Sequence, residues 1–306
     1  MCVFFWLEIQ AELGNTVWND IFEKIAGRCQ PGNQGVTGGR VAHGLPVALI
    51  CVSMRNIRLT IAYDGAGFHG WQRQPHSETI QEILETRIAK ITGATVTLYG
   101  SGRTDAGVHA TGQVANFKTS CPIPCVRLVK ALNDVLPASI RVKRAENVPA
   151  TFHARHSART KTYRYRILQR GICPPYLARY VCHHPYPLDI RQMARAARLL
   201  EGEHDFTSFA GSDPARRGKE RAEDSNVRHI SYSRIRVRKE LEIIVYEVRG
   251  SGFLHHMVRN IVGTLLEIGS GKLAPEDILG ILGARDRTKA GPTAPASGLW
   301  LVRVEY

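Results

Sequence analysis

Gly100-Ser101-Gly102-Arg103-Thr104-Asp105-Ala106-Gly107-Val108-His109 is the stretch on which the reading of this chain turns. Val96 to Tyr99, just before it, reads as a strand, and a second apolar run, Gln113 to Phe117, follows. Three glycines in eight residues let the backbone bend tightly and leave space beside it. One carboxylate, Asp105, sits between Arg103 and His109. A lone aspartate among glycines is ordinarily a turn residue. Any chemistry at Asp105 therefore has to be argued from the rest of the chain.

The chain has 306 residues, enough for two domains with real cores. Lys and Arg number 41 against 27 Asp and Glu, a net charge of +14 that favours a polyanionic partner, nucleic acid first. No run of 18 apolar residues is present, so no membrane span is expected. The seven cysteines are odd in number and form no C-x-x-C, so neither a disulfide framework nor a zinc knuckle is indicated. A reducing, cytoplasmic setting fits best.

Residues 1–53 read differently from the rest. They hold four acids and three bases, so residues 54–306 carry +15. Gln30 to Gly44 is rich in Gly, Asn and Gln and reads as coil. Met1 to Trp6 lacks the positive flank of a signal peptide. The simplest expectation is an extension outside the fold, translated upstream of a start at Met54. The rival is a short helix from Val17 to Ile25 that packs on the body.

From Met54 the elements are clear. Ile57, Leu59, Ile61 and Tyr63 alternate with polar or small residues, the pattern of a half-buried strand. Gly65 to Gly70 matches G-x-G-x-x-G, but a helix should open at those glycines, and here it starts only at Thr79. Thr79 and Glu82 form an expected capping box, and Gly93 ends that helix. Further helices are expected over 126–136, 189–200, 254–268 and 275–282. Strands are expected over 140–147, 161–169, 232–238, 241–248 and 299–304. Strands and helices mix without a strict βαβ rhythm, which argues for α+β with largely antiparallel sheets. Ala210 to Arg228 is charged and poor in large apolar residues, and reads as a mobile surface loop.

Three basic clusters stand out. The first is Arg155, His156, Arg159, Lys161, Arg164 and Arg166, threaded with Tyr163 and Tyr165. Bases stack on aromatic rings while cations take phosphates, so the mixture suits single-stranded or looped RNA. On a strand the two tyrosines share one face and Arg164 and Arg166 the other. The second cluster is Arg216, Arg217, Lys219 and Arg221, in the charged loop. The third is Gly252 to Asn260, where Arg259 lies one turn into an apolar helix and needs a partner; Asp105 is one candidate. The pairs His183-His184 and His255-His256 do not read as metal clamps, because neighbours on a helix or strand point apart. Gly269 to Leu273 is not a P-loop: Leu266 and Leu273 stand where Gly and Ser or Thr belong.

Taken together, Met54 to Tyr306 resembles the tRNA pseudouridine synthase A family. The fragments that carry the resemblance are Tyr63-Asp64-Gly65, Phe68 to Gln74, Gly102 to His109, Phe152 to Arg155, Lys161 to Tyr165, His204 to Phe209, and Gly252-Phe253-Leu254 with Met257-Val258-Arg259. The resemblance implies uridine-to-pseudouridine isomerisation at positions 38, 39 and 40 of the tRNA anticodon stem-loop. It implies a homodimer, no cofactor and no metal. The fold implied has two RRM-like α/β halves, 54–155 and 156–306, with mixed, largely antiparallel sheets and a central RNA-binding cleft. Residues 1–53 have no counterpart in the family. By the motif match Asp105 is the catalytic aspartate, Tyr163 stacks on the target uracil, Arg259 partners Asp105, and Arg103 contacts RNA near the flipped nucleotide. Asp105 acts either as a nucleophile at the sugar or as a base at C2′. Tyr163 is also a candidate to remove the C5 proton.

Two rival readings compete. A non-catalytic RNA-binding protein or RNA chaperone of the same fold explains the charge and the tyrosines but not the Asp105 loop. An oxidoreductase using Gly65 to Gly70 requires nicotinamide binding.

Overall fold

The computed structural model describes residues 54–212 and 225–306. The readings of residues 1–53 and the cluster Arg216, Arg217, Lys219 and Arg221 lie outside the described residues, as does most of the Ala210 to Arg228 loop.

Alternation along the first strand shows how the sheet is built. In β1 (Arg55–Tyr63), Ile57, Leu59 and Ile61 are fully buried, while Arg58 and Thr60 lie half-buried on the other face. The remaining strands are β2 (Tyr99–Gly100), β3 (His109–Thr119), β4 (Ile140–Val148), β5 (Thr160–Leu168), β6 (Cys182–His183), β7 (Gly202–Asp205), β8 (Val227–Arg238), β9 (Ile243–Gly250) and β10 (Leu299–Glu305). Among the described residues they form one mixed sheet, ordered β4-β1-β3-β10-β5-β9-β8-β7, with β2 on β3 and β6 on β5. Neighbours are antiparallel except β3 with β10 and β5 with β6. The closing strand β10 therefore lies between β3 and β5 and brings the Asp105 loop beside Tyr163.

The helices are α1 (Ile80–Thr92), α2 (Cys125–Val135), α3 (Pro175–Ala178), α4 (Ile190–Leu199), α5 (Met257–Gly269) and α6 (Asp277–Ala284). Ile80, Leu84 and Ile88 of α1 and Leu128 and Leu132 of α2 repeat at helical spacing and are buried against the sheet. Gly93 ends α1 in the left-handed conformation, φ 74°, as a C-terminal glycine should. At the other end the expected capping box is absent. The Thr79 side chain makes no cap bond, and its hydroxyl is buried without a partner. The Ile80 and Gln81 amides turn instead to the Gly70 and Trp71 carbonyls, so tertiary contact replaces the local cap. Asp189 does cap α4, accepting from the Arg191 and Gln192 amides.

Helix α5 is the deepest. Its buried residues run almost the whole way round, from Met257 to Gly269. A bare backbone at Gly263 lets the 287–296 segment cross it: a Cβ there would meet the Pro292 carbonyl oxygen at 1.6 Å. Among the described residues no helix is long and apolar enough to cross a membrane.

Candidate active site

The loop 100–108 is held from inside by polar side chains of the sheet. Gln113 of β3 donates from Nε2 to the Gly102 carbonyl (2.9 Å) and accepts from Ser101 Oγ (2.7 Å). The Ser101 amide donates to the Val114 carbonyl at 2.7 Å. Tyr63 Oη and Thr104 Oγ1 share a hydrogen bond of 2.8 Å, and burial holds the Tyr63 phenol neutral. Val108 N–H closes a turn onto the Asp105 carbonyl at 3.1 Å, with Gly107 at φ 76°.

A second loop clamps the first from outside. Trp71 N–H donates to the Thr104 carbonyl at 3.0 Å, and Gly107 N–H reaches Phe68 O at 3.4 Å. The glycines of the apparent nucleotide motif are contact points here. A Cβ on Gly65 would lie 1.9 Å from Val108 O, and one on Gly70 would lie 2.7 Å from Thr104 O. His109, fully buried, ties both loops to a third segment. Its Nδ1 accepts from the Gly65 amide (3.0 Å), and its Nε2 lies 2.8 Å from the Arg179 carbonyl, which fixes the Nε2–H tautomer. Burial pushes the His109 pKa below its usual value, against the pull of Asp64 at 3.1 Å. Asp64 is otherwise held by Arg179 (2.8 Å) and by the Tyr180 hydroxyl (3.0 Å).

Asp105 projects from this clamped loop and is partly exposed. Arg259 Nη1 donates to its Oδ2 at 3.1 Å, while Arg259 Nε donates to the Ala294 carbonyl at 2.7 Å. The arginine on the apolar helix thus has the partner its position demanded, and the carbonyl orients the guanidinium. Next along α5, Asn260 is fully buried and bonds Phe209 O, Thr293 Oγ1 and Arg287 Nη2, which anchors the crossing segment.

Tyr163 sits on β5 with its ring edge-on to Phe253, centroids 5.0 Å apart. It is only 7% exposed, and burial raises its phenol pKa, so the hydroxyl is neutral in the free protein. Arg103 points outward, is exposed, and makes no ion pair among the described residues. The fold brings Asp105, Arg259 and Tyr163 to one place, with Arg103 at its rim. Tyr165, on the same strand face, is a core residue bonded to the Pro295 carbonyl.

One expectation about the histidines is corrected. His255 and His256 do not point apart. They precede α5 in a turn, with His256 left-handed at φ 57°, and their rings stack with centroids 3.8 Å apart. Both face Asp105, Nε2 to carboxylate oxygen 3.7 Å for His255 and 3.4 Å for His256. Burial lowers the His256 pKa, partly offset by Asp105. One carboxylate and two imidazoles thus lie within 4.8 Å of one another. Arg259 on the same carboxylate opposes any cation there. The arrangement is set by the left-handed backbone at His256, a non-glycine residue, which no local sequence pattern announces.

Compared with known proteins, residues 59–157 and 196–306 match a family model described as tRNA pseudouridine synthase. A tRNA pseudouridine synthase A of Solibacter usitatus (strain Ellin6076) is 51% identical over 253 residues, which is 83% of this chain and 100% of the relative. One of Caldicellulosiruptor bescii (strain ATCC BAA-1888 / DSM 6725 / KCTC 15123 / Z-1320) is 47% identical over the same spans, and one of Thermoanaerobacter sp. (strain X514) is 45% identical.

Proposed function

The chain belongs to the tRNA pseudouridine synthase family, and from that footing we propose that Asp105 is the carboxylate with which it turns uridine into pseudouridine in tRNA. The protein is an isomerase: the N1–C1′ bond breaks, the uracil turns, and C5 joins C1′. Product and substrate hold the same atoms, so the balance of the reaction calls for no co-substrate.

The observation that carries the reading is Asp105 held on a double-clamped loop, with Arg259 at 3.1 Å and Tyr163 beside it. The guanidinium holds the carboxylate in place by a charge-assisted hydrogen bond, and a carboxylate so placed can attack the sugar or take a proton from C2′. To reach Asp105 the base must leave the helical stack, which costs roughly a few kcal/mol. Stacking on an aromatic ring returns about 1–3 kcal/mol per base. Tyr163 is that ring, and Phe253, packed on its edge, keeps it in place. Its neutral hydroxyl is ready to hydrogen-bond the uracil, and the C5 proton departs after the glycosidic bond has re-formed. Exposed Arg103 takes a phosphate near the flipped nucleotide.

The finer reading is action at positions 38, 39 and 40 of the anticodon stem-loop. It includes a homodimer in the cytoplasm, with two RRM-like halves, 54–155 and 156–306, flanking the cleft. The net charge of +14 supports an RNA of that size as partner. Tritium release from tRNA carrying 5-tritiated uridine, followed by mass mapping of pseudouridine, tests the reading. Release with product at 38, 39 or 40 supports it. Product only elsewhere removes the positional reading, and no release removes the activity.

A further inference from the structure

The basic cluster around β5 does not act as one surface. Arg164 pairs with Glu247 and Arg166 lies over the Trp300 ring at 4.4 Å, so both are engaged on the sheet face away from Tyr163. Lys161 differs. It stands two residues before Tyr163 and so shares its face. Its ammonium lies against the catalytic loop: a Cβ built on Gly102 would sit 3.0 Å from Lys161 Nζ. A side chain at Gly102 would crowd the lysine head there.

Lys161 is half-buried and makes no hydrogen bond or ion pair among the described residues. Its charged neighbours are themselves cations. Burial, then Arg155, then Arg228, push its pKa down to about 8. Arg155 is exposed, and its side chain too has no carboxylate partner among the described residues. A desolvated ammonium facing other cations is costly in the free protein. The cost is relieved when an anion enters between them. Tyr163 lies roughly 7 Å further along the strand, two residues at the usual rise. That is about the reach from a nucleobase to its own backbone linkage.

We infer that Lys161 and Arg155 form a phosphodiester site for the nucleotide whose base lies on Tyr163. The inference rests on the reading of the chain as a tRNA-modifying enzyme. Within it, Lys161 is a positioning residue: it fixes the backbone while Asp105 meets the sugar. Exposed Arg103, next to Gly102 on the same loop, offers the extruded nucleotide a second cation.

The test uses full-length protein and a synthetic anticodon stem-loop RNA with a single neutral methylphosphonate at either linkage flanking the target uridine. With wild-type protein, one of the two neutral linkages should weaken binding on the order of tenfold, the loss of one charge-assisted contact. Lys161→Met should weaken binding of the unmodified RNA similarly, lower the salt slope by about 0.7–0.9, and lose its response to the neutral linkage. Lys161→Arg should restore most of the affinity. If wild-type protein binds both neutral-linkage RNAs as it binds the unmodified one, the site is overturned whatever the variants do. The same holds if Lys161→Met still responds to the neutral linkage in full. Pseudouridine formation by wild-type protein on the unmodified RNA is followed in parallel. Its absence counts against the enzymatic reading, whereas its presence with no linkage effect counts against the phosphodiester site alone.

Discussion

Arg259 reaches Asp105 across 154 positions of sequence, and its guanidinium spans two acceptors: Nη1 donates to the carboxylate at 3.1 Å and Nε to the Ala294 carbonyl at 2.7 Å. The backbone bond aims the side chain, and the carboxylate receives the aimed charge. Lysine carries the charge but lacks the planar fork. Arg259→Lys should therefore reduce turnover roughly 10- to 100-fold, the loss of one charge-assisted hydrogen bond worth about 1.5–3 kcal/mol. Tritium release at saturating tRNA measures it. Unchanged turnover would show that charge alone suffices at this position.

The clamp between the two loops predicts a contrast among glycines that look alike in sequence. Gly65→Ala puts a methyl 1.9 Å from Val108 O, where backbone has to move. Overpacking of this kind costs about 1–3 kcal/mol and shifts the loop that carries Asp105. Gly67 has nothing within 4 Å of its would-be Cβ and only a positive φ of 88° to penalise alanine. Gly65→Ala should lower Tm and abolish turnover, whereas Gly67→Ala should lower Tm modestly and keep turnover. Equal effects at both sites would mean the clamp does not position the loop.

The course of the chain was legible in its long elements. β1, α1, α2, β5 and β10 fall within about two residues of where periodicity puts them, because each buries one face and periodicity reports that face. The need of Arg259 for a partner was also legible, since a lone guanidinium on an apolar helix is conspicuous. Gly65 and Gly70 were recognised as no nucleotide motif, but their real task, backbone contact with a loop some 40 residues on, leaves no local trace. The capping box expected at Thr79 is a local pattern, and here tertiary bonds from the Ile80 and Gln81 amides to the Gly70 and Trp71 carbonyls stand in its place. The side-by-side facing of His255 and His256 is not legible in sequence, because a left-handed residue at a helix entry overrides the geometry of both strand and helix.

Tyr163, edge-on to Phe253 and neutral, should work chiefly through its ring. Tyr163→Phe keeps the stacking surface and should lose less than Tyr163→Leu, which forfeits about 1–3 kcal/mol of stacking. Single-turnover rates on tRNA separate the two. Equal and total loss in both variants would move the weight to the hydroxyl as proton acceptor.

His109 links stability to pH. Its folded-state pKa lies below the unfolded value of 6.5, chiefly through burial. The unfolded chain thus takes up a proton that the folded one resists. The stabilisation is fully present above about pH 6.5 and is lost as pH falls through the folded-state pKa. Wild-type Tm should fall more steeply than that of His109→Asn between pH 7 and pH 5. Parallel slopes would show that the buried ring does not couple to the proton.

Whether Asp105 does the chemistry or only shapes the loop is decided by one substitution. Asp105→Asn preserves shape and removes the charge, so the purified variant is assayed for tritium release from 5-tritiated uridine in tRNA, with filter binding on the same sample. Turnover should fall by about 10⁴-fold, the order of loss when one member of a catalytic unit is removed, with tRNA affinity kept or slightly improved because a negative charge facing phosphates is gone. Near-normal turnover would contradict a catalytic role for Asp105, and so would loss of binding together with turnover.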